Sequence, residues 1–103
     1  SDTVVKNVFQ GYKTSIKAVS TNTTLADADS GKTIYWTAGT LTLPATAEVG
    51  QQFVIINNTN GAATPGLGTS NAIATNWTAH AAMADETART YICPVANKWI
   101  YIG

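Results

Sequence analysis

Short runs of β-branched and aromatic residues, broken by turn formers every eight to twelve residues, constrain this chain more than anything else in it. Such side chains pack well on a pleated surface and poorly on a helix. In "QQFVIINNT", Phe53 and Ile55 alternate with Val54 and Ile56, so both faces are apolar and the strand belongs at a sheet centre or between layers. "TLTLP" sets Leu41 and Leu43 against Thr40 and Thr42, and Pro44 ends it. "YKTSIKAVS" places Tyr12, Thr14, Ile16 and Ala18 on one face, with Lys13 and Lys17 on the other. "KTIYWTA", "RTYICPV" and "KWIYIG" complete the set, the last with Trp99 and Tyr101 opposite Ile100 and Ile102. Turns fall at residues 25–31, at Ala38-Gly39, at Glu48-Val49-Gly50 and at Ala96-Asn97-Lys98. Residues 57–72, rich in Asn, Gly, Thr and Pro, form the longest loop. "AHAAMADETAR" has helical propensity but weak amphipathicity, which allows one helical turn at most. The expectation is an all-β domain, an antiparallel sandwich or barrel of about seven to eight short strands. No repeat of solenoid length is visible.

Composition narrows the functional classes. The 103 residues make one domain with one modest core. Charged residues are 12%, about half the usual share, and the formal net charge is zero. Nucleic-acid binding needs a concentrated basic face to neutralise phosphates, and an electrostatic membrane anchor needs a basic cluster. Neither is present in the sequence, and no stretch approaches the ~20 apolar residues of a membrane span. No charged-then-apolar leader opens the chain, so no secretion signal is expected. Asn22, Asn57 and Asn76 each begin an Asn-x-Ser/Thr triplet, read here as a consequence of Thr richness. The single Cys93 lies in an apolar run and reads as a buried small hydrophobe.

Candidate chemistry is sparse. Gly31-Lys32-Thr33 looks like the tail of a phosphate-cradling loop. Five positions before Gly31 stands Ala26 rather than Gly, Asp27 and Asp29 would repel phosphates, and "IYWT" follows as a strand rather than a helix. Asp27 and Asp29 alone supply too few oxygens for calcium. Asp85 and Glu86 are adjacent and point to opposite faces of a strand, a poor acid/base pair. His80 reads as an exposed loop residue, and three Trp and four Tyr read chiefly as core. The expectation is therefore no enzyme, with no catalytic residues, no cofactor and no metal.

Read together, "TLADADSGKTIYW", "GTLTLPA", "VGQQFVIINNTNG" and "NKWIYIG" resemble a module common in tailed-bacteriophage virion proteins, over residues 24–103. Such modules occur in tail fibres and, on capsid surfaces, as decoration proteins and head fibres. The resemblance implies a β-structured, often trimeric virion protein, assembled in the host cytoplasm. The function expected from it is capsid decoration (cement) on the outside of a tailed-phage head, with the major capsid protein as partner. The long fibrous N-terminal part of a full tail fibre is not seen in these 103 residues, so a receptor-binding fibre is not the first expectation. The alternative is a trimeric fibre-tip or adhesin module that binds host surface glycan through Trp77 and the 57–72 loop.

Residues 1–20 are read as an N-terminal arm, swapped or capsid-contacting, or as first strands, and residues 21–103 as the β domain. Val4, Val5, Val8 and Phe9 are the expected partner-binding residues, and Gly11 a hinge. Low charge, many aromatics and such an arm together favour a homotrimer.

Overall fold

The structure is a computed structural model that describes residues 13–103. The arm residues Val4, Val5, Val8 and Phe9 lie outside the described residues. Eight strands are present: β1 Ile16–Val19, β2 Thr23–Thr24, β3 Thr33–Trp36, β4 Leu41–Thr42, β5 Gln52–Asn57, β6 Ala72–Ile73, β7 Thr87–Val95 and β8 Lys98–Ile102. A single 3-10 turn, Asp27–Asp29, is the one helical piece among the described residues. Among the described residues the fold is all-β as expected, but its main sheet is mixed rather than antiparallel.

That sheet has six strands in the order β1-β3-β5-β7-β8-β6. β1, β3 and β5 run parallel, with Ile16 beside Thr33 and Thr33 beside Val54. Between them the chain visits a second, two-stranded parallel sheet of β2 and β4, which Gly66 extends by a parallel bridge to Thr42. The first half therefore winds in solenoid-like coils, alternating between a wide and a narrow sheet. The second half closes the wide sheet with antiparallel pairs β5-β7 and β7-β8, then parallel β6-β8. The β7-β8 hairpin turns through Asn97 at φ 60°, and a register shift between Ile92 and Val95 marks a bulge.

Alternation holds where it counts. Ile34, Trp36, Phe53, Ile55, Tyr91, Cys93, Trp99 and Tyr101 point inward and meet Leu41 of the narrow sheet, with Leu25 and Leu43 just beyond its strands, in one core. β1 is the exception to the expected facing: Ile16 and Ala18 point outward, while Val19 is buried and Lys17 lies on its side. Lys17 tolerates the inner side because its long stem carries the ammonium to Asp29.

The long loop is pinned rather than free. Asn57 is fully buried and donates to the carbonyls of Gly61, Met83 and Ala84. The Gly66 amide donates to Leu41, and the Leu43 amide donates to Gly66. "AHAAMADETAR" forms no helix; Met83 pairs with Ala63 through two amide bonds and enters the core. Burying one methionine and two backbone bonds outweighs a weak helical preference.

Candidate functional site

The Asp-Ser-Gly-Lys turn is a brace. Gly31 sits at φ +87°, where a side chain is disfavoured, and its amide donates to the Gln52 carbonyl at 2.7 Å. The Lys32 amide donates to Asp29 at 3.1 Å, so the amides a phosphate would need are already engaged. Ser30 Oγ accepts from the Gln52 amide, and Asp27 accepts from Gln51 Nε2 at 2.8 Å, tying the turn to the start of β5. Asp29 is buried beneath it. One of its oxygens accepts from the Ala26 amide at 3.0 Å; the other faces Lys32 at 3.1 Å and Lys17 at 3.6 Å. Burial alone would raise its pKa, but the Ala26 amide and the two lysines hold it below the usual carboxylate value. Among the described residues no group of three His, Cys, Asp or Glu side chains could hold a metal.

A second polar centre lies on the inner side of β7. Arg89 is only 4% exposed. Its Nη1 donates to the Ala81 carbonyl at 2.6 Å and to Tyr91 Oη at 3.0 Å; Nε donates to Gly103 at 3.1 Å. Nη2 reaches Ala82 at 3.4 Å, and the guanidinium lies 4.3 Å from the centre of the Tyr101 ring. These partners are backbone oxygens, a phenol and a ring, with no side-chain carboxylate among the described residues. Tyr91 Oη accepts from Arg89 and shares a hydrogen bond of 2.8 Å with His80 Nε2. Burial and, after it, the neighbouring Arg89 lower the His80 pKa, which favours the neutral imidazole. His80 is thus half-buried, packed against Tyr91 and Tyr101, rather than the exposed loop residue expected. Burial raises the Tyr91 pKa, so its phenol keeps its proton. The parity of "RTYIC" contained the signal: a strand that buries Cys93 also buries Tyr91 and Arg89.

Trp77, the expected glycan residue, is 41% exposed and fixed by a bond from Nε1 to the Tyr101 carbonyl at 3.2 Å. The 57–72 loop crosses to β4 through Gly66, and the described residues contain no ligand-sized pocket. Asp85 accepts from the Asn60 amide, and Glu86 sits at φ 59°, both serving turns. Cys93 is buried and donates to the Val95 carbonyl.

Among the described residues, the outer face of the wide sheet carries the exposed Ile16, Tyr35 and Ile102. Register aligns Ile16, Thr33, Val54, Thr90 and Ile102 in one row across five strands. Beside it run Ala18, Tyr35, Ile56 and Ala88, then Gln52, Ile92 and Ile100. No position in these rows is charged; Lys98 stands at the rim. A scan against protein-family models, a search of curated proteins and a search of solved structures each give no match for this chain.

Proposed function

We propose that this chain is a structural virion protein, a capsid decoration protein on the outside of a tailed-phage head, assembled as a homotrimer and contacting the major capsid protein. The N-terminal arm, through Val4, Val5, Val8 and Phe9, is the proposed capsid contact. One observation carries the reading: the central residues of the stretches through which the chain resembles virion modules serve rigidity. Asp29 and Gly31 brace a turn, Leu41 and Leu43 fill the core, and Phe53 and Trp99 pack at 5.9 Å. The polar groups best suited to chemistry, Arg89 and His80, are spent holding segment 79–82 to the sheet. A cement protein needs a stiff scaffold with a sticky surface, which is what these contacts favour. The test is the copy number in purified particles by quantitative mass spectrometry. Hundreds of copies per particle agree with decoration; a few dozen or fewer point to a fibre; absence from particles defeats both.

The half-exposed Trp77 favours the fibre-tip or adhesin reading as the alternative, because a fixed indole face offers a stacking surface for a sugar ring. A glycan array distinguishes it: binding lost in Trp77→Ala supports the adhesin, and no binding by the native chain removes it.

A further inference from the structure

The wide sheet is inverted in its use of charge. A sheet with one solvated face ordinarily turns polar side chains outward and apolar ones inward. Here two of the three charged residues in the paired strands, Lys17 and Arg89, turn inward, and the third, Lys98, faces outward at the rim beside Val95 and Ala72. Lys17 and Arg89 lie at opposite ends of one inner row, Lys17-Ile34-Ile55-Arg89. The outer rows hold none. Ile16 is 58% exposed, Ile102 60% and Tyr35 39%. Three of the strands, β1, β3 and β5, are also parallel, and parallel sheets occur almost always with both faces covered.

From this face we infer that copies of the chain meet sheet against sheet, with a second copy as the occupant. Two arguments favour a copy over an unrelated partner. A face without charge meets itself without like-charge repulsion, whereas a different protein is ordinarily selected by complementary charge. The chain as a whole is neutral, so no long-range repulsion opposes the encounter. The area fits a weak association. The three rows hold five, four and three positions, each ~4.8 Å by ~6.8 Å, a footprint of roughly 400 Å². That is the size of the largest apolar patches on monomers, which are often functional. Two such faces together bury roughly 800 Å², which fits a concentration-dependent contact rather than a permanent one. This inference names the surface behind the proposed self-assembly. It does not depend on a capsid, and its test uses the chain alone.

Light scattering coupled to size exclusion, on the full chain at high micromolar concentration, reads the assembly. The native chain is expected at two or three times its chain mass. Ile102→Lys and Tyr35→Lys place a charge on the face at exposed positions, and each is expected to elute as a folded monomer with unchanged far-ultraviolet dichroism. Val49→Lys, at an exposed position off the face, should keep the native mass. Should either face variant fail to fold, Ile16→Lys at the sheet's edge replaces it. A monomeric native chain overturns the inference, as do folded face variants that keep the native mass. Loss of assembly in Val49→Lys as well would also overturn it, since the effect would then belong to added charge in general. Particle copy number, measured separately, bears on the decoration role and not on this face.

Discussion

Arg89→Met tests the inner clasp of the fold. Three donor contacts lie at 2.6, 3.0 and 3.1 Å, and a fourth at 3.4 Å is long. Hydrogen bonds to a charged group contribute ~1.5–3 kcal/mol each, so the three good ones amount to roughly 4.5–9 kcal/mol. The guanidinium's contact with the Tyr101 ring adds ~1–2 kcal/mol. Desolvating the cation offsets several kcal/mol of this. Ala81 and Ala82 are exposed, so water replaces part of what their carbonyls lose. The net cost of the substitution is about 2–4 kcal/mol, a large share of the stability of a small domain. At ~4–8 °C per kcal/mol for a domain of this size, the melting temperature should fall by roughly 10–25 °C. Denaturant unfolding followed by circular dichroism gives the free energy. Hydrogen exchange at residues 79–83 gives the location, since released carbonyls should free that segment before the sheet opens. Arg89→Lys keeps the charge but loses the planar fork, and should lose most of the same stability. A Met variant within ~0.5 kcal/mol of the native chain would refute the clasp: desolvation would then cancel every donor.

Gly39 and Gly31 make a matched pair at φ +81° and +87°. A Cβ on Gly39 would lie 2.4 Å from the Thr21 backbone, whereas Gly31 faces open space, so Gly39→Ala should cost about 3 kcal/mol and Gly31→Ala only ~1 kcal/mol in chemical unfolding. Lys32→Ala should change stability by less than ~0.5 kcal/mol because Lys17 still faces Asp29, while Asp29→Asn, which leaves two lysines unpaired, should cost ~1 kcal/mol or more; ATP should leave the melting temperature unchanged. For pH, the lowered His80 pKa means the unfolded chain binds the proton more tightly, so the stability contributed is complete above 6.5 and lost as pH falls through the folded value. Melting scans should therefore be flat above neutrality and decline below pH 6.5, with the decline absent in His80→Gln; the lowered Asp29 pKa acts in the same direction in a separate window, below its ordinary value of 3.8.

Strand identity was legible because alternation is local. Leu41 and Leu43, Phe53 and Ile55, and Trp99 and Tyr101 are buried on the side their spacing assigns. Strand pairing was not legible, because parallel coils join residues far apart and the coils differ in length. Ile16 meets Thr33 and Thr33 meets Val54, while Thr24 meets Thr42 and Thr42 meets Gly66, so no fixed period repeats in the sequence. β1 shows a second limit. Its apolar residues Ile16 and Ala18 and its lysine obey alternation, but alternation does not say which set faces the core. The choice was made by Val19 and by a carboxylate ten residues downstream, at Asp29. His80 was misplaced for the same reason, since its partner Tyr91 belongs to another element.

The same inward lysine bears on how copies join. β1 is the last strand of the wide sheet among the described residues, only four residues long, with Lys17 turned to the inner side. Short edge strands and inward charges are devices that discourage pairing edge to edge, because a continued sheet would trap the ammonium between layers. At the opposite edge β6 is two residues long and offers few free backbone groups. Among the described residues both edges of the sheet are therefore poor templates for another strand, while the rows of the face between them span five strands and hold no charge. Assembly through the face uses side chains, whose burial scales with area and tolerates some sliding. Assembly through an edge would use backbone bonds and fix a register. A chain that joins by its face should lose assembly on a single outward charge such as Ile102→Lys, yet keep it when Lys17 is replaced by Met. Edge pairing predicts the reverse: Lys17→Met would promote larger, open-ended species, and Ile102→Lys would leave the native mass intact.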